Sequence, residues 1–334
     1  MKKSLLALAV LGAFAGVASA QSSVTLFGVV DLNAQYVKND GVSRRVSLSQ
    51  DGINSSRFGV RGTEDLGGGL KAGFWLEGGL SADTGSASAS KFWGRRSTVS
   101  LSGGFGEVRL GRDYDPTFLN IYDVFGTNGL GSFLNIVQLS PPTTLVRADN
   151  AISYFTPADI GGLFGQVMVA AGEGAAPGGA GKYVGGRVGF RAGPFEVAGA
   201  YAQEDSTTGK HKTSNVGGSY DLGVAKLMAF YDRETRDVRK ENRYAISAAV
   251  PIGQGEIHAA YDRSKLDNSA AGTSNSISQV AVGYVYNLSK RTALYSTVSR
   301  LSNGNLSATT LGNSPAMAAG GKSTGAEFGL RHIF

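Results

Sequence analysis

A long, strict alternation of residue types constrains this chain more than any other feature. From Val24 one parity reads Val24, Leu26, Gly28, Val30, Leu32, Ala34 and Tyr36, while the other reads Thr25, Phe27, Val29, Asp31, Asn33 and Gln35. A period of two with one apolar face marks a β-strand, because successive side chains leave the backbone on opposite sides. The run is longer than the about 5–6 residues usual for strands of soluble proteins. The pattern returns at Val280, Val282, Tyr284, Tyr286 and Leu288, at Tyr244, Ile246, Ala248, Val250 and Ile252, and at Phe195, Val197, Gly199 and Tyr201.

Sixteen candidate strands follow along the chain, near 23–37, 54–64, 69–80, 91–102, 105–112, 148–157, 161–172, 181–192, 194–204, 212–222, 223–234, 241–252, 254–265, 275–288, 290–302 and 322–334. Their connections sort by length. Short turns stand at Leu66-Gly67-Gly68, Gly103-Gly104, Ala192-Gly193-Pro194 and Gly253-Gln254, and long polar stretches at 38–53, 81–90, 205–211, 266–274 and 303–321. Short turns at one end and long polar loops at the other are what a membrane-spanning barrel needs. The fold expected is all-β: a 16-stranded antiparallel transmembrane β-barrel.

The N-terminus fits export to such a destination. Lys2 and Lys3 precede an uncharged apolar run from Leu5 to Val17, and Ala18-Ser19-Ala20 supplies the small-x-small pattern of a secretory signal peptide. Residues 1–20 are therefore expected to be removed, leaving a barrel of residues 21–334. The apolar run falls short of the about 20 residues that a spanning helix requires. Past it no apolar run approaches that length, and in hydrocarbon only helices or closed barrels satisfy every backbone polar group. The absence of cysteine excludes disulfide scaffolds, thiolate metal sites and thiol catalysis together. The modest excess of base, 32 Lys and Arg against 26 Asp and Glu, is dispersed and does not form a nucleic-acid-binding face.

One connection departs from the beat. Residues 113–147 carry Phe118, Leu119, Ile121, Tyr122, Phe125, Leu130, Phe133, Leu134 and Ile136, too apolar for a solvated loop. Connections of this length are usually functional or disordered. In a barrel, the surface available to such a segment is the lumen, so it is expected to pack there. At the other end, the chain finishes on Phe334, with Leu330 and Phe328 at alternate positions before it. The last residue thus reads as the end of a strand.

Several stretches together are similar to the Gram-negative porin family, in particular the trimeric porins of β-proteobacteria. They are Ser22-Ser23-Val24-Thr25-Leu26-Phe27-Gly28 with Asp31, Ser56-Arg57-Phe58-Gly59-Val60-Arg61-Gly62-Thr63-Glu64-Asp65-Leu66-Gly67, Leu76-Glu77, and Phe105-Gly106 to Leu110-Gly111-Arg112. Further on come Asp123-Val124-Phe125-Gly126, Asn150-Ala151-Ile152-Ser153-Tyr154, and Gly329-Leu330-Arg331-His332 with Phe334. The resemblance implies a homotrimer in outer-membrane lipid, each barrel with its third external loop, residues 113–147 by position, folded into the lumen as a constriction. It also implies an arginine ladder on the wall facing carboxylates on or near that loop. Matched by position, the ladder falls on Arg57, Arg95 and Arg147, with Glu77 as a wall acid and Asp113, Asp115 and Asp123 as loop acids. Local alternation with Thr98 and Ser100 points to Arg96 in place of Arg95, and the sequence leaves both open.

The expected function is a water-filled, anion-preferring channel for small hydrophilic solutes and inorganic or organic anions. Selectivity in such a channel follows from radius and from the charges lining its narrowest part. Guanidinium stays charged at every accessible pH, so its field persists. Two alternatives stand beside this: a ligand-specific channel, and a non-conducting structural or adhesive barrel. No cofactor, metal or nucleic acid is implied, and an enzyme is not expected. His211, His258 and His332 sit in no recognised nucleophile or metal spacing. The stretch Ala176 to Lys182 departs from a phosphate-binding loop at both Ala176 and Tyr183. Tyr36, Phe74, Trp75, Trp93, Tyr201 and Tyr284 read as interfacial aromatics.

Overall fold

The computed structural model describes residues 23–87, 91–139, 146–158, 160–172, 181–206 and 209–334; the segment read as a signal peptide lies outside them. The strands are β1 (Ser23–Asn39), β2 (Arg45–Gln50), β3 (Arg57–Gly67), β4 (Leu70–Ser81), β5 (Ser86–Ala87), β6 (Arg96–Gly103), β7 (Gly106–Tyr114), β8 (Arg147–Phe155) and β9 (Leu163–Ala170). They continue as β10 (Tyr183–Ala192), β11 (Phe195–Ser206), β12 (Gly209–Asp221), β13 (Lys226–Arg236), β14 (Arg239–Ile252), β15 (Gly255–Asn268), β16 (Thr273–Asn287), β17 (Thr292–Asn303) and β18 (Lys322–Ile333). Each of the sixteen segments anticipated from alternation corresponds to one wall strand. The two extra pieces have simple origins. β2 and β3 share one place in the wall, the first pairing with the distal half of β1 and the second with its proximal half. β5 pairs only with the end of β4, at Leu80↔Ala87 and Ser81↔Ser86.

Neighbouring strands pair antiparallel throughout, and β1 pairs with β18 from Val29↔Ile333 to Asn39↔Ser323, so the sheet closes into a 16-stranded barrel. Among the described residues, closure gives each of the sixteen wall positions a partner on both sides, which a wall surrounded by lipid requires. The seam is finished by Phe334, whose N–H and carbonyl exchange hydrogen bonds of 3.1 and 3.0 Å with Gly28. A Cβ at residue 28 would lie 2.3 Å from the Phe334 ring, so only glycine fits there.

Alternation sorts the two faces. Val24, Leu26, Val30 and Tyr36 of β1 are exposed, whereas Asp31, Asn33 and Gln35 of the opposite parity are buried. β16 repeats this, with Val280 and Val282 exposed and Ile277, Gln279 and Ala281 buried. The arrangement inverts a soluble protein, as expected for a wall with lipid outside.

The connection between β7 and β8 contains two short 3-10 turns, Phe118–Asn120 and Phe133–Ile136. Leu130, Phe133 and Ile136 are buried in one cluster with Val37, Phe230, Ala245, Ile277 and Leu301, and all these strand partners belong to the parity opposite the exposed apolar one. Each such side chain withdrawn from water contributes about 1.5–3 kcal/mol. The apolar content of the segment is thereby explained: it packs on the wall.

Candidate functional site

A cluster of charge occupies the polar parity of the wall from β3 to β8. Glu77 lies on β4 between Gly59 of β3 and Arg96 of β6, and it is buried. The Nε of Arg95 donates to Glu77 Oε1 at 2.7 Å, and the Nε of Arg57 approaches the same oxygen at 3.7 Å. Trp75 Nε1 donates to Glu77 Oε2 at 2.9 Å. The third arginine joins through a phenol: Arg95 Nη2 donates to the Tyr114 hydroxyl at 2.9 Å, Arg147 Nη2 donates to the same oxygen, and the Arg147 guanidinium stacks 4.1 Å above the Tyr114 ring. Arg57, Arg95, Arg147 and Glu77 therefore form one cluster, in which three guanidiniums meet a single carboxylate.

Both readings of the Arg95–Arg96 pair have a structural counterpart. β6 begins at Arg96, and Val99 and Leu101 are exposed, which puts Arg96 and Thr98 on the polar parity. Arg95 precedes the strand, is free of its alternation, and bends to Glu77 while its N–H donates to the Glu77 carbonyl at 3.0 Å. Arg96 turns instead to Thr98 Oγ1 at 3.0 Å, packs 4.5 Å from the Trp75 ring, and lies 3.7 Å from Asp113.

The acids separate. Asp113 is on β7, not in the loop, and pairs with Arg109 Nη1 at 2.8 Å. Arg109 also engages Glu107 at 2.8 Å and stacks 4.0 Å over Phe155. Asp115 and Asp123 do belong to the loop, and neither is brought to the arginines. Asp115 Oδ1 accepts the Thr117 hydroxyl and the Phe118 N–H, both at 2.7 Å. Asp123 Oδ1 accepts the N–H groups of Phe125 and Gly126 at 2.9 and 3.0 Å. Both are side-chain caps of their own turns. Burial pushes the Asp115 carboxyl up to about 7 and that of Asp123 up to about 6.

Several participants carry no signal in local sequence. Tyr114 bridges two arginines only because β7 ends beside β8, at Tyr114↔Arg147. Trp75, expected among the interfacial aromatics, lies on the charged face beneath Arg61 and Arg96. Alternation with Phe74, which is exposed, gives a clue to this.

Across the barrel the balance reverses. Arg243 on β14 is shared by Asp232 at 2.6 Å, Glu241 at 3.7 Å and Glu234, and His211 lies 3.1 Å from Glu234. Asp31 anchors the segment between β2 and β3, accepting the N–H groups of Gly52, Ile53 and Asn54 at 3.2, 3.0 and 2.8 Å and the Tyr295 hydroxyl. That segment meets the long loop, with the Ser55 hydroxyl donating to Asn128 Oδ1 at 2.8 Å, and it fixes Arg57, whose Nη1 donates to the Ser55 carbonyl at 2.9 Å.

Comparison with known proteins places this arrangement. The sequence profile of the Gram-negative porin family matches residues 7–306. The chain is 44% identical to outer membrane porin protein 32 of Delftia acidovorans and 31% identical to an outer membrane porin protein of Bordetella pertussis, in each case over the full length of both chains. Among solved structures, an anion-selective porin from Comamonas acidovorans superposes with a TM-score of 0.84 at 41% identity, covering 94% of this chain and 100% of that one. A trimer form of OmpT from Vibrio cholerae, at 16% identity and a TM-score of 0.68, covers 94% of this chain and 99% of its own and shares the fold alone. With a closed 16-stranded wall, an inside-out distribution of polarity and this agreement along its whole length, the chain belongs to the Gram-negative porin family.

Proposed function

We propose that this protein forms a water-filled, anion-preferring diffusion channel for small hydrophilic solutes in the outer membrane, with Arg57, Arg95, Arg147 and Glu77 lining its constriction. The observation that carries this is the stoichiometry of the cluster: three guanidiniums converge on one carboxylate and one phenol, leaving a surplus of two positive charges. Among the described residues the loop acids Asp115 and Asp123 do not neutralise the surplus, since each caps its own turn, and Asp113 on β7 serves Arg109 and Arg96. Within low-dielectric walls such a surplus concentrates anions locally. The constricting element on this reading is the connection between β7 and β8, whose described residues 115–139 would lie across the lumen. Its support is the set of contacts with the polar parity of β10 to β18 and of β1, which leaves the passage against β3 to β8, where Arg57, Arg95 and Arg147 stand. A salt gradient across a planar bilayer tests the reading: the reversal potential should have the sign of anion preference and should collapse as salt rises. Cation preference in dilute salt would overturn it.

The assembled form on this reading is a homotrimer, supported by the trimer form of a protein with the same fold. Unboiled protein should migrate on an SDS gel as a trimer and boiled protein as a monomer. A monomer in unboiled samples that conduct would refute the trimer and leave the channel intact.

A further inference from the structure

The long loop is tied to the wall mostly by satisfied hydrogen bonds. Glu241 accepts the N–H groups of Gln138 and Leu139 at 2.9 and 2.8 Å, Glu327 accepts that of Leu130 at 3.2 Å, and the Ser247 hydroxyl accepts that of Val124 at 3.0 Å. At one place a whole carboxylate on the wall is left out of this pattern. Asp262 on β15 has no exposed surface, and neither of its carboxylate oxygens has a hydrogen-bond partner in the protein. Directly opposite on β16 stands Gln279, also without exposed surface. Its amide nitrogen is committed to the carbonyls of Gly131 and Ser132 at 2.9 and 3.3 Å, which fixes the orientation of the amide and leaves Oε1 without a partner. From the loop comes Asp123, whose Oδ1 caps its turn while Oδ2 is buried and unpartnered. The residues after Asp123 bring it to this strand pair, since the Val124 N–H donates to Ser247, which stands opposite Ala260 on β15, and Phe125 packs on Ala260 and Ala281.

Four buried oxygens, all acceptors, thus share one region, and the one side-chain donor beside them, the Ser247 hydroxyl, meets the Asp123 carboxyl and leaves Asp262 and Gln279 Oε1 without a donor. The surroundings are apolar, with Val124 and Phe125 of the loop packed against Ala260 and Ala281. Charged neighbours are already engaged: Arg243 is divided among Asp232, Glu234 and Glu241, and His258 is paired with Glu256. A water molecule supplies hydrogen bonds but does not compensate two carboxylates held together away from solvent, which is the costly part.

We propose that a hard, oxygen-seeking cation of the calcium type binds between the loop and the wall, held by Asp123, Asp262 and the side-chain carbonyl of Gln279. The donor set is oxygen only, the chemistry of hard cations. Calcium accepts irregular oxygen shells, whereas magnesium demands near-ideal octahedral geometry. Imidazole or thiolate ligation by softer metals finds no support, since the chain has no cysteine and His258 is paired with Glu256. The cation cross-links residue 123 of the loop to β15 and β16, adding a charge-compensated tie to a segment otherwise fastened by packing and single hydrogen bonds. The inference rests on the loop's contacts with the wall and not on the sign of the channel's selectivity, so either can fail alone.

The test uses the purified full-length protein, stripped with EGTA and then titrated with CaCl2, beside Asp262→Asn and Asp123→Asn, which keep shape and remove charge. In crystals soaked in CaCl2, long-wavelength anomalous maps should show a peak between Asp123 and Asp262 in the wild type and none in either variant. Calorimetric titration should show one class of calcium site weakened at least tenfold in both variants. Wild-type crystals without the peak would overturn the proposal. So would a wild-type protein whose thermal stability ignores calcium but rises on acidification from pH 7 to 5, with Asp262→Asn abolishing the rise; that outcome assigns a shared proton to the pair instead.

Discussion

Replacing Arg57, Arg95 and Arg147 together by Gln should invert the ion preference of the channel. The cluster carries three positive charges against the single negative charge of Glu77. An ion about 7 Å from the cluster in water feels roughly 0.6 kcal/mol per net charge, hence about 1.2 kcal/mol for a surplus of two. With a Debye length of about 10 Å in 0.1 M salt, screening roughly halves this to about 0.6 kcal/mol. Anions are then enriched and cations depleted each by a factor of about 2.7, an anion-to-cation ratio of roughly 7. The triple variant leaves Glu77 alone, reverses the sign and halves the magnitude, which corresponds to about threefold cation preference in the same salt. In 1 M salt, where the Debye length is about 3 Å, the wild-type ratio should fall to roughly 1.5. Focusing by low-dielectric walls raises all these values, so they are floors. The assay is the reversal potential of single channels in gradients centred on each concentration. A folded triple variant that keeps its anion preference in dilute salt would refute the assignment of the surplus to this cluster. An inversion that persists undiminished in 1 M salt would refute the electrostatic mechanism.

Three further outcomes follow from the same geometry. Excising residues 118–139 should raise single-channel conductance several-fold in a protein whose circular dichroism stays β-rich; unchanged conductance would place the segment outside the ion path. Glu77→Gln removes the carboxylate that engages Arg57 and Arg95, so anion preference in 0.1 M salt should rise while thermal stability falls by about 1–3 kcal/mol, measured by reversal potential and melting; a fall in anion preference would contradict the charge balance. Asp115 holds its proton up to about pH 7, against an ordinary carboxyl value of 3.8. Its contribution to stability is therefore complete below the unfolded-state value and is lost as pH rises through about 7. Asp115→Asn keeps the turn's acceptor and should flatten this part of the stability profile between pH 4 and 7, and identical wild-type and variant profiles would exclude Asp115 as its source.

The sequence alone determined the wall. A strand separating two media must alternate, so the medium writes itself into every second residue, and each alternating segment became a strand near its expected place. The ends were less legible. β12 and β15 continue into stretches read as loops at 205–211 and 266–274, because backbone pairing persists beyond the lipid, where no apolar face is required. The insertion of β2 ahead of β3 was equally silent, since it depends on Asp31 capturing the backbone of residues 52–54 from another strand. For the candidate site, resemblance supplied Arg57, Arg95, Arg147 and Glu77, but only the tertiary structure decided who meets whom. Arg95 reaches Glu77 because it stands just before β6 and escapes the strand's parity, and Tyr114 joins the arginines because β7 ends beside β8. Asp115 and Asp123 look in sequence like acids free to face a ladder; in three dimensions each turns away from it and gives one oxygen to cap its own turn, because a buried N–H needs an acceptor more than a wet arginine needs a distant carboxylate. Periodicity is a local property of a chain and survives in its sequence, whereas a charge cluster is a sum over strands far apart in it and exists only once the barrel has closed.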